Sequence, residues 1–358
     1  MPAAVATGSE FSFTVKPLRG ERIINAFERL FVMARNAEAT IISLTIFGSV
    51  RAQPAAEEAM RHVFRRINWP VTWVEGASDN DQPIAGIQAF AFTDGKSTPV
   101  ILHGRVVGSV FEEAGIRHCL LGDLRPQDCS IPRPDQFRQT LENVNDALAS
   151  AGFSFGDVVR TWFFLDKLLS WYDDFNQIRT QAYDAIKFRT GSLPASTGIS
   201  GRNPAGSALV VGIWAMQPLN DSVRIREVPS PLQCPAPAYG SSFSRAMEIS
   251  SPAGRRLLIS GTASIAPEGR TLWPESLGRQ IEQTMAVVEA ILTSRGFALP
   301  HLTRATAYLK HRADIPAFEA WRGGWGLHPL SVITTHCGVC RDDLLFELEA
   351  DAWQPSPA

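Results

Sequence analysis

The chain contains 358 residues, of which 45% are hydrophobic and 20% charged, and its formal net charge is −2. These values are typical of a globular protein long enough for two or three domains, and they exclude a disordered or fibrous chain. The sequence has no cluster of Lys and Arg and no stretch apolar enough to span a bilayer. We therefore expect a small-molecule partner rather than nucleic acid or a membrane.

The start of the chain and its cysteines bear on the cellular compartment. The first residues, MPAAVATGSEF, lack the basic and apolar segments of a secretory signal. Five cysteines without such a signal are typical of reduced thiols, so we expect a cytoplasmic protein. Cys337 and Cys340 form a C-x-x-C pair, but a structural zinc site usually needs a second pair, which the sequence lacks. With no phosphate-binding loop either, we predict no metal and no cofactor.

Three segments repeat the same predicted order of helix, strand, helix and two strands. The first copy begins with the helix RIINAFERLFVMARNA and ends with the strand IAGIQAFAF. The second runs from DQFRQTLENVNDALAS to ALVVGIWAM, and the third from LGRQIEQTMAVVEAILTS to DLLFELEADAW. The opening helices of the last two copies carry apolar residues at helical spacing: Phe137, Leu141, Val144 and Leu148, and Ile281, Met285, Val288 and Leu292.

Each copy predicts an α+β unit whose sheet carries helices on one face. Hairpin-like stretches precede the second and third copies, TPVILHGRVVGS and RRLLISGTASIAPEG, whereas the first has only EFSFTVKPL. We therefore predict an abbreviated unit at 1–95, full units at 96–225 and 239–355, and a Pro-rich linker at 226–238. Three equivalent units favour a pseudo-threefold arrangement with clefts where one sheet meets the next.

The stretch HCGVCRDDLLFELEAD, residues 336 to 351, predicts a closing strand with two different faces. Phe346 and Leu348 alternate with Glu347 and Glu349, so one face is apolar while the other carries carboxylates. Cys340 lies seven residues before Glu347. Two interpretations are open, since the polar face is either solvated or one wall of an active site.

The second and third copies resemble the YjgF-type fold of the reactive-intermediate deaminases, which are normally homotrimers with active sites between subunits. The stretches WYDDFNQIRTQAY with PASTGI, YGSSFSRA and VCRDDLLFELEAD resemble more specifically the chorismatases, relatives that split chorismate into pyruvate and a ring product. This resemblance covers about residues 85 to 355. It implies three YjgF/chorismate-mutase-like repeats and a cofactor-free enzyme that is a monomer or a homo-oligomer, with a trimer possible.

The resemblance implies two catalytic residues. Glu347 matches the chorismatase acid that protonates the methylene carbon of the enolpyruvyl group, and its alternative is a surface carboxylate. A neighbouring ionised Glu349 would raise the pKa of Glu347. Cys340 matches the cysteine beside the substrate ring in benzoate-forming chorismatases, and its alternative is a small buried hydrophobe. The ring product, a hydroxybenzoate or a dihydroxycyclohexadiene carboxylate, is left open.

A dicarboxylate substrate calls for cations and hydroxyl donors. Tyr172 and Arg179 lie two turns apart on one predicted helix and match the chorismatase residues that bind substrate. Arg245 is the second cation that we predict at the site. The alternatives are an Arg179 paired with the acidic residues beside Tyr172, and an Arg245 at a strand edge. Gly261 and Thr262 are predicted to line the pocket floor, whereas Asn176 and Tyr308 are weaker candidates.

Other functions on this fold are also considered. The deaminases carry an arginine at the start of the fifth strand, where this chain has Ser196 in one copy and Ile333 or Thr334 in the other. The missing arginine argues against imine deamination in its usual form. A hydrolase acting on an enamine, imine or carbamate, and a non-catalytic protein that binds a small carboxylate, are the alternatives to a chorismate-cleaving enzyme.

Overall fold

The computed structural model of the protein describes residues 3–7, 10–93, 95–324 and 331–356. The first unit contains the strands β1 (Ala3–Thr7), β2 (Glu10–Val15), β3 (Thr40–Gly48), β4 (Val71–Glu75) and β5 (Ile84–Phe92) and the helices α1 (Ile23–Asn36) and α2 (Gln53–Phe64). Its strands lie in the order β1-β2-β5-β3-β4. Only β3 and β4 pair in parallel, because α2 connects them.

The second and third units repeat this arrangement with one strand more. The second contains β6 (Thr98–Leu102), β7 (Arg105–Glu113), β8 (Ile116–Leu124), α3 (Arg133–Ser150), β9 (Val158–Leu165), α4 (Tyr172–Asp184), β10 (Ala195–Ser200) and β11 (Leu209–Pro218). The third contains β12 (Arg224–Val228), β13 (Ala246–Ser250), β14 (Gly254–Ala263), α5 (Leu277–Ser294), β15 (Leu302–Leu309), α6 (Ile315–Gly324), β16 (Val332–His336) and β17 (Phe346–Pro355). Their orders, β10-β9-β11-β8-β7-β6 and β12-β13-β14-β17-β15-β16, are the same read in opposite directions.

The boundary of the third unit differs from the expected linker. The strand β12 includes residues on both sides of position 225 and pairs with β13, so the Pro-rich stretch connects two strands of one sheet. We therefore propose that the third unit begins with β12. In the first unit β1 and β2 pair in antiparallel fashion, and the described sheet has one strand fewer than those of the other two units.

The three sheets pack around a common centre. β4 of the first unit packs on β8 of the second, β10 of the second on β14 of the third, and β16 of the third on β5 of the first. Each sheet forms an outer core with its own helices, while its other face joins a shared central core. The predicted α+β fold with three repeated sheet units is thereby confirmed. No helix among the described residues is both long and apolar enough to cross a membrane.

Local sequence signals explain the repeated helices. The helices α3 and α5 bury their predicted apolar faces against their sheets. Both are followed by glycines with a positive φ of 74°, Gly152 and Gly296, which turn the chain towards the next strand. The same ending in two copies places β9 and β15 at equivalent positions.

A buried charged network connects the three sheets at the centre. The carboxylate of Glu349 on β17 accepts hydrogen bonds from Arg160 on β9, at 2.7 Å, and from Arg304 on β15, at 3.2 Å. Arg304 also donates to Gln88 on β5 at 3.0 Å and to Asp351 on β17 at 2.8 Å. Because these side chains are shielded from solvent, each charge depends on its partners.

We expect Arg160→Met to destabilise the protein strongly. Removing one partner of a buried ion pair typically costs about 3–5 kcal/mol, because the other charge stays buried. Arg61→Met is the matched control, since Arg61 and Glu57 form an exposed pair on α2 and such a pair contributes about 0.3–0.5 kcal/mol. Chemical denaturation of the two variants measures the difference. Equal losses of unfolding free energy would show that the central pair is not required for stability.

Candidate active site

A cavity of about 580 Å³ lies in the cleft between the second and third sheets. One side is formed by α4 and β10, and the other by residues 239–245, β14 and the segment that leads into β17. Six of the seven predicted site residues line this cavity: Tyr172, Arg179, Arg245, Gly261, Cys340 and Glu347. The structure therefore brings together residues that are up to 175 positions apart in the chain (347 − 172).

Glu347 lies on the cavity wall but not on a solvated face. Its side chain is nearly inaccessible, with 4% of the residue exposed, so the interpretation as a surface carboxylate is wrong. Burial raises the pKa of Glu347 to about 8, and the neighbouring charge of Glu349 acts in the same direction, while Arg160 and Arg245 oppose the shift. At neutral pH the group is therefore mostly a protonated carboxylic acid.

The two glutamates of the strand β17 differ in charge state. Burial also tends to raise the pKa of Glu349, but Arg304 and Arg160 outweigh it and lower the pKa below the usual value. Thr197 on β10 donates to the same carboxylate at 2.6 Å. Glu349 is thus an ionised carboxylate fixed by its donors, whereas Glu347 forms no ion pair within the part of the chain that the structure describes.

Gly261 lines the cavity, whereas the neighbouring Thr262 does not. A Cβ atom at Gly261 would collide with the carboxyl group of Glu347, so this glycine makes room for the acid rather than for a ligand ring. Its backbone N–H donates to the Thr197 hydroxyl at 3.1 Å. The expectation for Thr262 is wrong: it does not line the cavity, and its hydroxyl donates to the Ser260 carbonyl at 2.8 Å. Successive strand residues point to opposite faces, which separates it from Gly261.

Arg179 is a buried cation inside the cavity wall. Only 2% of the residue is exposed, and its guanidinium lies over the ring of Phe175 at 4.9 Å. It donates to the amide oxygen of Asn176 at 2.7 Å and forms no ion pair among the described residues. The alternative of a surface arginine paired with Asp173 or Asp174 is therefore wrong.

Arg245 is also buried, immediately before β13. Its guanidinium donates twice to the backbone oxygen of Cys234, at 2.9 and 3.1 Å, and lies over the rings of Tyr239 and Phe243. No carboxylate of the described ranges pairs with it. The strand-edge alternative is wrong, because the side chain is buried in the cavity wall and not exposed at the edge of the sheet.

Tyr172 and Cys340 keep their protons. Burial raises the pKa of the Tyr172 hydroxyl well above its usual value. Burial also raises the pKa of the Cys340 thiol to about 12, and the adjacent Glu347 contributes to this shift. The sulfur lies 4.0 Å from Oε2 of Glu347. Tyr172 is therefore a hydroxyl donor, and Cys340 is a neutral thiol rather than a nucleophilic thiolate.

Several residues of the site were missed or given little weight by sequence reasoning. Asn176, Tyr239 and Arg341 line the cavity, whereas Tyr308, the other weak candidate, lies in the central core. Arg341 donates to the Gly269 carbonyl at 2.7 Å. Asn176 lies on the same predicted helix as Tyr172 and Arg179 and one turn from each, which is the signal that favours it.

Among the described residues, one cluster outside the cavity brings three possible metal ligands within 4.8 Å of one another: Glu10, Glu113 and His118. The Nδ1 atom of His118 accepts a hydrogen bond from Trp214 at 3.2 Å, so Nε2 carries the ring proton. Glu10 also forms an ion pair with Arg256. The protonated Nε2 and this ion pair make the cluster poorly suited to a metal ion.

Known proteins are similar to this chain both in its central part and over most of its length. The family model of Endoribonuclease L-PSP matches residues 131–205, from α3 to the loop after β10. Two curated relatives called chorismatase, from Streptomyces rapamycinicus and Streptomyces hygroscopicus, are each 25% identical over 58% of this chain. The matched regions span 66% and 64% of those relatives.

A crystal structure of a chorismatase superimposes with a TM-score of 0.66 and 18% identity, covering 97% of this chain and 99% of that one. The match extends over all three sheet units, so the two proteins share one fold. These comparisons confirm the resemblance indicated by the sequence motifs: the chain is similar to the two chorismatases and has the fold of the chorismatase structure, and its residues 131–205 match the Endoribonuclease L-PSP model.

Proposed function

We propose that this protein is an enzyme that cleaves the enolpyruvyl ether of chorismate, with Glu347 as the general acid. One observation carries the proposal: a carboxylic acid with a pKa of about 8 lies in a cavity that is also lined by the buried Arg179 and Arg245, which form no ion pair with a carboxylate among the described residues. The two carboxylates of a dianionic substrate can pair with the two arginines, and its enol ether can be protonated by the neutral acid. The names of the two curated relatives support the same reaction.

The chemistry assigned to Glu347 is proton transfer to carbon. The acid gives its proton to the terminal methylene carbon of the enolpyruvyl group, which becomes a methyl group next to an oxocarbenium centre. Addition of water to that centre and breakage of the ether then give pyruvate and a dihydroxycyclohexadiene carboxylate. Without net addition of water, cleavage of the ring C–O bond and loss of a ring proton give pyruvate and a hydroxybenzoate.

The remaining residues bind and orient the substrate in this proposal. Arg179 and Arg245 hold the two carboxylates, and Tyr172 donates its hydroxyl hydrogen, since its raised pKa keeps it protonated. Cys340 packs beside the ring as a neutral thiol. Its proximity to Glu347 favours the route to hydroxybenzoate, because a thiol side chain beside the acid takes space that an attacking water would need.

Imine deamination is not favoured at this site. Ser196 lines the cavity at the place where the deaminases carry their arginine, and the two cations come instead from α4 and from the residue before β13. Arg179 therefore lies on the same side of the cleft as β10, and Arg245 lies on the opposite side.

The direct test is to incubate the purified protein with chorismate and to measure pyruvate release. Glu347→Gln keeps the size of the side chain but removes the acidic proton, so we expect turnover to fall by about 10²–10⁴-fold. Glu282→Gln, on the exposed side of α5, is the matched control and should leave turnover unchanged. Wild-type rates in Glu347→Gln would disprove the role of the acid, and no pyruvate from the wild type would disprove the reaction.

The pH dependence of turnover should report the titration of Glu347. The acid is active while protonated, so we expect kcat to be level below pH 8 and to decline as the pH rises through about 8. The residual turnover of Glu347→Gln should not show this alkaline decline. A wild-type profile that is flat to pH 9.5, about 1.5 units above that pKa, would show that no acid of this kind limits the reaction.

Gly261→Ala tests whether the position of the acid matters. The added Cβ collides with the Glu347 carboxyl group and displaces it, so we expect kcat to fall by about 10²-fold, as is typical of a misplaced catalytic group. Gly278→Ala is the control, because a Cβ at that position on α5 meets no atom of the described residues within 4 Å. Steady-state kinetics of both variants, with thermal melting to verify folding, provide the measurement. Full activity of Gly261→Ala would contradict the geometry described for Glu347.

A further inference from the structure

The three clefts between the sheets are built from equivalent elements, so their side chains can be compared position by position. The helices α2, α4 and α6 connect the two parallel strands of each unit. Each begins three residues before a fully buried residue that packs on its own sheet: Ala56, Phe175 and Phe318. This common start aligns the three helices.

The aligned helices carry different side chains at the position that Arg179 occupies on α4. Four residues after the buried position, the three helices carry Met60, Arg179 and Arg322. One residue after it they carry Glu57, Asn176 and Glu319. Two clefts therefore have an arginine on the helix, but only one of these arginines has a neutral neighbour.

The closing strands allow the same comparison for the acid. The ring of Phe47 contacts those of Phe164 and Tyr308, at 6.1 and 6.0 Å, and these three residues occupy equivalent places on β3, β9 and β15. Their partners on the closing strands are Gly86, Val210 and Glu347. The acid and the arginine with a neutral neighbour thus occur in the same cleft.

The two arginines differ in what compensates their charge. Arg322 forms an ion pair with Glu319, which also accepts from Lys16 at 2.9 Å and from Thr334. Arg179 makes the equivalent contact with the amide oxygen of Asn176 at 2.7 Å, and it forms no ion pair among the described residues. An amide oxygen orients a guanidinium as a carboxylate does, but it leaves the positive charge uncompensated.

We propose that Asn176 is a positioning residue that holds Arg179 in place while leaving its charge available for a carboxylate of the ligand. Replacement of this amide by a carboxylate would neutralise the charge of Arg179, as Glu319 neutralises that of Arg322 on α6. The identity of the substrate rests on the proposed function, whereas the charge argument applies to any carboxylate that binds in the cavity.

The test compares Asn176→Asp with Asn176→Ala. We expect Asn176→Asp to weaken binding of the probe 3-hydroxybenzoate by about 10–100-fold, because the new carboxylate competes with the ligand for Arg179. Asn176→Ala loses the orienting contact but adds no competing charge, so its dissociation constant should rise above the wild-type value but less than that of Asn176→Asp. Asn145→Asp, the same substitution at an exposed site on α3, is the control. Isothermal titration calorimetry gives the dissociation constant of 3-hydroxybenzoate for the wild type and the three variants.

Two further measurements separate this role from a structural one. Asn176→Asp should raise KM for chorismate more than it lowers kcat, and its melting temperature should not fall, because the introduced carboxylate would pair with Arg179. An Asn176→Asp variant that binds like the wild type, an Asn176→Ala variant that binds like the wild type or as weakly as Asn176→Asp, or a wild type that does not bind the probe would each overturn the inference. Probe binding without chorismate turnover would instead overturn the proposed reaction and leave this inference standing.

Discussion

The carboxylate of Glu349 is the point on which both the fold and the candidate site depend. It is buried where the three sheets meet, and it accepts hydrogen bonds from Arg160, Thr197 and Arg304. A charge buried in this way is stable only when its partners are in place, so the network requires the second and third sheets to adopt one relative position. That position also defines the cleft, since β10 supplies Thr197 and the strand next to it supplies Arg160.

The same network sets the chemistry two residues away. Glu349 is ionised by its donors, and its negative charge adds to burial in keeping Glu347 protonated. Two carboxyl groups on one face of a strand thus differ in protonation state because their surroundings differ. In this way the fold supplies a protonated acid at neutral pH. Gly261 connects the two, because its N–H donates to the Thr197 hydroxyl while its missing side chain leaves space for Glu347.

Local patterns in the sequence predicted the strands and helices of this arrangement, the resemblance to the chorismatases indicated the site residues, and contacts between distant residues account for what was missed. The alternation around Glu347 and the helical spacing of Tyr172 and Arg179 depend on neighbours in the chain, so both could be predicted. The part played by Arg160 could not, since its partner Glu349 lies 189 residues away. Its place in VVRTWFFLD matches that of the arginine in LTRATAYLK, and a charge repeated in two buried strands is the signal that was available.

The three units belong to one chain, so the clefts between them need not be identical. Identical subunits around a threefold axis necessarily present three identical clefts, whereas linked units can change independently. Here the position of Glu347 is Val210 in the second unit and Gly86 in the first, where Ile333 of the third unit occupies the space of a side chain. The second and first units therefore use this position for packing between sheets. In the cleft between the second and third sheets the same position carries Glu347, which lines a cavity of about 580 Å³ instead of filling a contact between sheets.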